Sequence, residues 1–182
     1  MVKEPHPGQV KTRLGREIGM VSAAWWFRHQ TMRLIRSLRD PRWQMILAVS
    51  PDQEGLKSRV WPVDLFRIPQ GPGDLGVRMD RALRATPGPT VLIGSDIPEV
   101  TRRHIADAFR ALGPSPSAVG PAMDGGFWCV ALRHPVHAPV HMFAGVRWST
   151  EFALEDTLPT LPQPVARLAQ LADVDTAGDL AQ

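Results

Sequence analysis

The stretch Thr90–Gly94 (TVLIG), which runs straight into Ser95-Asp96-Ile97-Pro98, decides how this chain is read. A short, continuous apolar run bounded by turn residues reads as a strand buried on both faces. Gln44–Ser50 (QMILAVS), stopped by Pro51, has the same character. Around these two strands the period changes. From Gly19 to Asp40, residues Ala24, Phe27, Thr31, Leu34, Ile35 and Leu38 recur at helical spacing, and Asp40-Pro41 closes the segment. Asp74–Ala85 carries Leu75, Met79, Ala82 and Leu83 behind Gly71-Pro72-Gly73, with Asp74 as the expected N-cap. Thr101–Leu112 reads as a third helix capped by Thr101, and Ala118–Ala122 and Phe127–Leu132 read as strands flanking Asp124-Gly125-Gly126. Val60–Ile68 is a weaker edge strand, because Pro62 removes a ladder donor. Alternating helices and buried strands predict an α/β protein: a Rossmann-like, three-layer α/β/α sandwich with a mostly parallel sheet. Ligands in such sheets bind beyond the carboxyl ends of the strands.

Composition narrows the function. At 182 residues the chain suits one domain spanning 1–182. No apolar run approaches the ~20 residues of a membrane span, and Met1-Val2-Lys3-Glu4-Pro5 lacks a secretory signal, so a cytoplasmic protein without membrane association is expected. Cys129 is the only cysteine, which excludes an internal disulfide and a cysteine-based zinc cage. Any metal must then be held by oxygen or imidazole. The pI is near 9.7 at a net charge of +3, and the cations are nearly all arginine, suited to bidentate phosphate recognition. They are spread along the chain among Asp and Glu, which argues for a phosphorylated small ligand and against nucleic acid.

Several clusters carry chemistry. In Pro5-His6-Pro7-Gly8-Gln9-Val10-Lys11-Thr12-Arg13-Leu14, Pro7 and Gly8 shape a turn while Lys11 and Arg13 supply charge for a diphosphate; a solvated basic loop before a helix is the plain alternative. Ser95 and Asp96 follow the buried strand, where the Asp96 carboxylate can hold a hard divalent cation or cap the next helix. Asp124-Gly125-Gly126 permits close backbone approach to a ligand or a simple hairpin turn. Asp173 and Asp175, two apart on a short extended stretch, are available to complete a metal site or to cap a helix through Thr176. In Gln70–Met79, Gln70 offers an amide for a base edge, and Arg78 lies one turn into the helix within reach of a phosphate.

Taken together, these segments resemble the bacterial radical-SAM/selenodomain-associated transferase 1 family, which has the glycosyltransferase A, nucleotide-diphospho-sugar transferase fold. The resemblance rests on Lys3-x-Pro5-x-Pro7-Gly8-x-Val10-Lys11-Thr12-Arg13-Leu14, Gln70–Met79 with its Gly76, Gly94–Pro98, Gly120-Pro121-Ala122-x-Asp124-Gly125-Gly126, Trp148-Ser149-Thr150 and Asp173-Val174-Asp175-Thr176. It implies a nucleotide or nucleotide-sugar in the cleft and Mg²⁺ or Mn²⁺ on Asp96. It also implies a second metal ligand at Asp175, phosphate binding by Lys11 and Arg13, further nucleotide contacts from Gly76 and Ser95, and catalytic roles for Asp96 and for Asp124, which faces an unknown small-molecule acceptor. The reaction implied is glycosyl transfer from a nucleotide-sugar, with nucleotidyl transfer and non-catalytic nucleotide binding as the alternatives. One departure stands out. The family opens with a hydrophobic strand before the Lys-x-Pro motif, where this chain has only Met1-Val2. That predicts a gap between the strands at Gln44–Ser50 and Thr90–Gly94, and a true start upstream of Met1 or a trimmed chain.

Overall fold

The computed structural model describes residues 1–95 and 97–172. In chain order its elements are β1 (Val2–Lys3), α1 (Thr12–Ile18), α2 (Met20–Ser37), β2 (Ile46–Ser50), α3 (Asp52–Lys57), β3 (Phe66–Pro69), α4 (Leu75–Arg84), β4 (Thr90–Ile93), α5 (Arg102–Ala111), β5 (Ser117–Pro121), β6 (Phe127–Leu132), α6 (Ala153–Thr157) and β7 (Val165–Arg167). Short 3₁₀ turns lie at Pro135–His137 and Leu158–Thr160. The strands form two sheets, ordered β1-β2-β3 and β4-β6-β5-β7. Parallel pairing joins β1 to β2, β2 to β3 and β5 to β7, and β6 runs antiparallel to both β4 and β5. This is the mixed α/β architecture, dominated by parallel pairing, that the alternation of helix and strand patterns predicts.

The strand expected to be missing is represented by two residues. Val2 and Lys3 pair with Val49 and Ser50, Val2 is buried, and the Met1 ammonium donates to the Ile93 carbonyl at 2.6 Å. Residues 1–3 thus sit between β2 and β4, the central place the resemblance assigns to that strand.

Side-chain alternation shows both faces of the second sheet covered. Ala118, Cys129 and Ala131 pack with Ile105 and Ala108 of α5, with Leu112 at its C-cap and with Leu34 of α2. Val119, Val130 and Leu132 pack with Met79 and Leu83 of α4 and with Met142, Phe143 and Leu161 beyond the sheet. Strand side chains alternate by two, so adjacent residues feed opposite cores. A bulge breaks this alternation near the end of the β5–β6 ladder, where Gly120 pairs with Cys129 but Pro121 pairs with Phe127. Trp128 is the extra residue. It joins the same core as Cys129, and Phe127 is turned to the opposite face.

Local capping signals hold. The Asp74 carboxylate accepts from the Val77 N–H at 2.9 Å, and Thr101 closes a capping box with His104. Where the structure departs from the sequence reading, long-range contacts decide. The edge strand is only Phe66–Pro69, because the Arg67 guanidinium gathers the carbonyls of Gly55, Ser58 and Trp61 and so holds the preceding segment in an irregular turn. The short elements α1, α3, α6 and β7 have no clear period of their own. No helix among the described residues is long and apolar enough to cross a membrane.

Candidate active site

Two loops and a hairpin converge beyond the carboxyl ends of β1 and β4, around a cavity of about 760 Å³, a volume suited to a nucleotide-sized ligand. Its basic side carries Lys3, Lys11 and Arg13. Gly94 and Ser95 at the end of β4 form its floor, and Asp124, Thr150 and Glu151 supply oxygen donors. Phe27 and Met79 contribute apolar wall, as do Phe127, Trp128 and Trp148.

The backbone is unusual where it meets this cavity. Among the described residues, three non-glycine residues have left-handed φ: Lys11 at 43°, Phe143 at 66° and Ser149 at 61°. Lys11 and Ser149 line the cavity, and such conformations cost about 1–2 kcal/mol each, so surrounding contacts must impose them. For Ser149 those contacts are clear. Asp156 accepts from the Arg147 backbone N–H at 3.0 Å, from its Nε at 2.8 Å and from its Nη2 at 2.8 Å, which clasps the loop before α6. A Cβ on Gly125, whose φ is 85°, would lie 2.2 Å from the Glu151 carbonyl oxygen, so only glycine lets the Asp124 hairpin seat against this loop.

Hydrogen bonds from the Arg147 side chain and then its backbone N–H hold the Asp156 carboxyl down to about 2, from an ordinary 3.8. A depressed carboxyl resists protonation in the folded state, so the clasp is complete above the ordinary value and is lost as pH falls through about 2. The expected result is an Asp156 carboxyl titration by NMR with its midpoint near 2; a midpoint near 4 would contradict the clasp.

The structure places the sequence candidates differently from one another. Lys11, Arg13, Gln70, Ser95 and Asp124 all line the cavity. Gln70 is nevertheless buried, and its amide nitrogen is committed to the carbonyls of Val2 at 3.0 Å and Ala48 at 2.9 Å. It stitches β1 to β2, so its two N–H groups cannot also read a base edge. Pro7 lies on a separate surface groove, and neither Gly8 nor Arg78 reaches the cavity. The Arg78 Nε instead donates to the Gly73 carbonyl at 2.8 Å. Gly76 works indirectly: a Cβ there would meet the Phe143 side chain at 2.8 Å and Trp148 at 2.9 Å, so its bareness seats Trp148. The Asp124 Oδ1 accepts from the Gly126 N–H at 2.8 Å, shaping the hairpin while the residue lines the cavity. Asp96 and Asp175 lie outside the described residues, although Ser95 and Ile97 on either side of position 96 both line the cavity.

Sequence reasoning missed the aromatic wall and Glu151. Trp148-Ser149-Thr150 was the available signal, and Phe127 reaches the cavity face only because the bulge absorbs Trp128. Phe127 and Trp148 meet edge to face at 6.3 Å, a favoured aromatic geometry. Among the described residues no three His, Cys, Asp or Glu side chains cluster as metal ligands.

This architecture is the nucleotide-diphospho-sugar transferase fold. A crystal structure from Desulfovibrio desulfuricans G20, of a protein provisionally assigned as a nucleotide-diphospho-sugar transferase, superposes with a TM-score of 0.85 at 31% identity, covering 98% of this chain and 81% of that one. The chain belongs to the family described as uncharacterized proteins conserved in bacteria (DUF2064), matched over residues 33–150. The Mycobacterium sp. strain JC1 homologue of Mycobacterium tuberculosis rv0371c superposes with a TM-score of 0.55 at 18% identity over 84% of this chain and 79% of its own, which shows a shared fold. No curated protein matches the chain in sequence.

Proposed function

We propose that this protein is a metal-dependent transferase of the radical-SAM/selenodomain-associated transferase 1 kind, which takes a nucleotide-sugar donor and passes the sugar to a small acceptor. The observation that carries the reading is the convergence of Lys11, Arg13, Ser95 and Asp124 on one cavity at the carboxyl ends of the strands, in a fold shared with a protein provisionally assigned as a nucleotide-diphospho-sugar transferase. In this reading Lys11 and Arg13 bind the donor's diphosphate and balance its charge. Phe127 and Trp148 form an apolar wall that keeps water from the reacting bond. Asp124, on the opposite hairpin, accepts a hydrogen bond from the acceptor hydroxyl and takes its proton as the new bond forms.

The oxygen-rich donor set fits Mg²⁺ or Mn²⁺: Ser95 and Asp124 line the cavity, while the one cysteine, Cys129, is buried in the α5 core with its thiol pushed well up by burial. Asp96 and Asp175 are the residues we assign to hold the cation. Neutralisation of the departing diphosphate is the chemistry that a bound cation supplies.

Calorimetry with nucleoside diphosphates, triphosphates and sugar nucleotides, each with and without Mn²⁺, tests this reading. At least one sugar nucleotide should bind with an affinity that rises with Mn²⁺, and Asp96→Ala should abolish the rise while leaving the thermal melt unchanged. Equal affinity in that variant would remove Asp96 from the mechanism.

A further inference from the structure

A second hollow lies on the other side of the same walls. The loop Glu4–Pro7, helix α2 and the stretch from α3 to Val60 enclose a surface groove of about 750 Å³. Consecutive residues face the two spaces: Lys3 lines the cavity and Glu4 the groove. On α2, Phe27 lines the cavity, while Ala24, Trp25 and Arg28 line the groove.

Three features of this groove are left open to a ligand among the described residues. Trp25 is 63% exposed, with its indole stacked on the His29 ring at 3.8 Å between centroids, a flat surface held in place from beneath. Arg28, Lys57 and Arg59 line the groove and make no hydrogen bond or ion pair among the described residues, while the neighbouring Glu54 is occupied by His6 at 2.6 Å. The third feature is at the base. Glu4 is only 5% exposed, its N–H is tied to the Ser50 carbonyl at 2.8 Å and its Oε2 accepts from Ser58 at 3.0 Å, yet its Oε1 has no partner among the described residues. A buried carboxylate oxygen left unmatched is costly, and its fixed backbone gives it little freedom to turn toward water.

We infer that this groove is a second ligand site, built for a nucleoside phosphate whose base carries an amino group. The ring covers the Trp25 indole, the phosphate meets Arg28, Lys57 and Arg59, and the amino group donates to Glu4 Oε1. Each feature excludes simpler ligands. A neutral sugar leaves three cations unmatched, and inorganic phosphate leaves both the indole and the carboxylate unmatched. The inference stands apart from the transferase reading, since none of these groove residues lines the cavity.

The test uses AMP, with inorganic phosphate as the comparison, titrated calorimetrically into the full chain carrying Lys11→Ala and Arg13→Ala so that the cavity is disabled. AMP should bind this protein one to one and more tightly than phosphate. Trp25→Ala should then weaken AMP by roughly ten- to a hundredfold, as expected for loss of one base–aromatic stack. Glu4→Gln should weaken it by about tenfold or more, with circular dichroism confirming the fold. Because Trp25 and Arg59 are exposed, Trp25→Ala and Arg59→Ala keep the test open if Glu4→Gln fails to fold. Undiminished affinity in Trp25→Ala, or phosphate binding as tightly as AMP, would overturn the groove site. AMP binding to the parent but not to the cavity-disabled protein would overturn it too, while supporting the cavity as a nucleotide site.

Discussion

A Lys11→Ala/Arg13→Ala double variant is expected to bind its sugar nucleotide about a hundredfold more weakly than the parent, with an unchanged fold. Both side chains line the cavity beside Gly94 and Ser95, and Arg13 is exposed and Lys11 partly so, which means that the core does not depend on them. A hydrogen bond to a charged group contributes about 1.5–3 kcal/mol, so removing two phosphate ligands costs roughly 3 kcal/mol or more, or about a hundredfold in affinity. The double variant should also lose the preference for diphosphate over monophosphate ligands, because the charge that counts the phosphates has gone. Calorimetry on both ligand classes checks this. Parental affinity in the double variant would place the phosphates elsewhere.

The largest expected effect on stability is at Gly120. A Cβ there would lie 2.2 Å from the Trp128 indole, and Trp128 is 2% exposed with its Nε1 donating to the Ala169 carbonyl at 2.9 Å. The ring is enclosed by the α5 core and held by its hydrogen bond, so it cannot step aside without losing one or the other. Overpacking of this kind costs about 1–3 kcal/mol, and Gly120→Ala is expected at the upper end. For a chain of this length that corresponds to a fall in melting temperature of roughly 10 °C. The bulge that aims Phe127 at the cavity also depends on where Trp128 sits, so ligand affinity should fall with stability. A melt unchanged from the parent would show that the indole has room to move.

Much of the fold was legible because its signals are local. TVLIG and QMILAVS are apolar runs too short for helices, and they appear as β4 and β2. Asp74 and Thr101 cap their helices as their positions beside apolar-periodic segments suggest. What stayed hidden depends on distant partners. The three-residue β7 exists because β5 offers it a parallel edge, and the bulge at Trp128 follows from the space above Gly120. The cavity divides in the same way. Lys11 and Arg13 stand out in the sequence as charge just after the Pro7-Gly8 turn, Ser95 and Asp124 as hydroxyl and carboxylate beside glycine, and the structure brings them to one space. Gln70 carries an equally polar signal, but its amide is spent on the carbonyls of Val2 and Ala48, residues far from it in sequence. Gly76 reads as a ligand contact and instead makes room for Trp148. No local pattern distinguishes a glycine that admits a ligand from one that admits a tryptophan.

The most direct test of the central claim is a product-resolved assay: mass spectrometry of labelled sugar nucleotides incubated with the protein, Mn²⁺ and a panel of small hydroxylated acceptors. The account predicts a glycosylated acceptor and a free nucleoside diphosphate in equal amounts, with both products lost in Asp96→Ala and in Lys11→Ala/Arg13→Ala. Intact sugar nucleotides throughout, or release of pyrophosphate from a labelled triphosphate in their place, would contradict it.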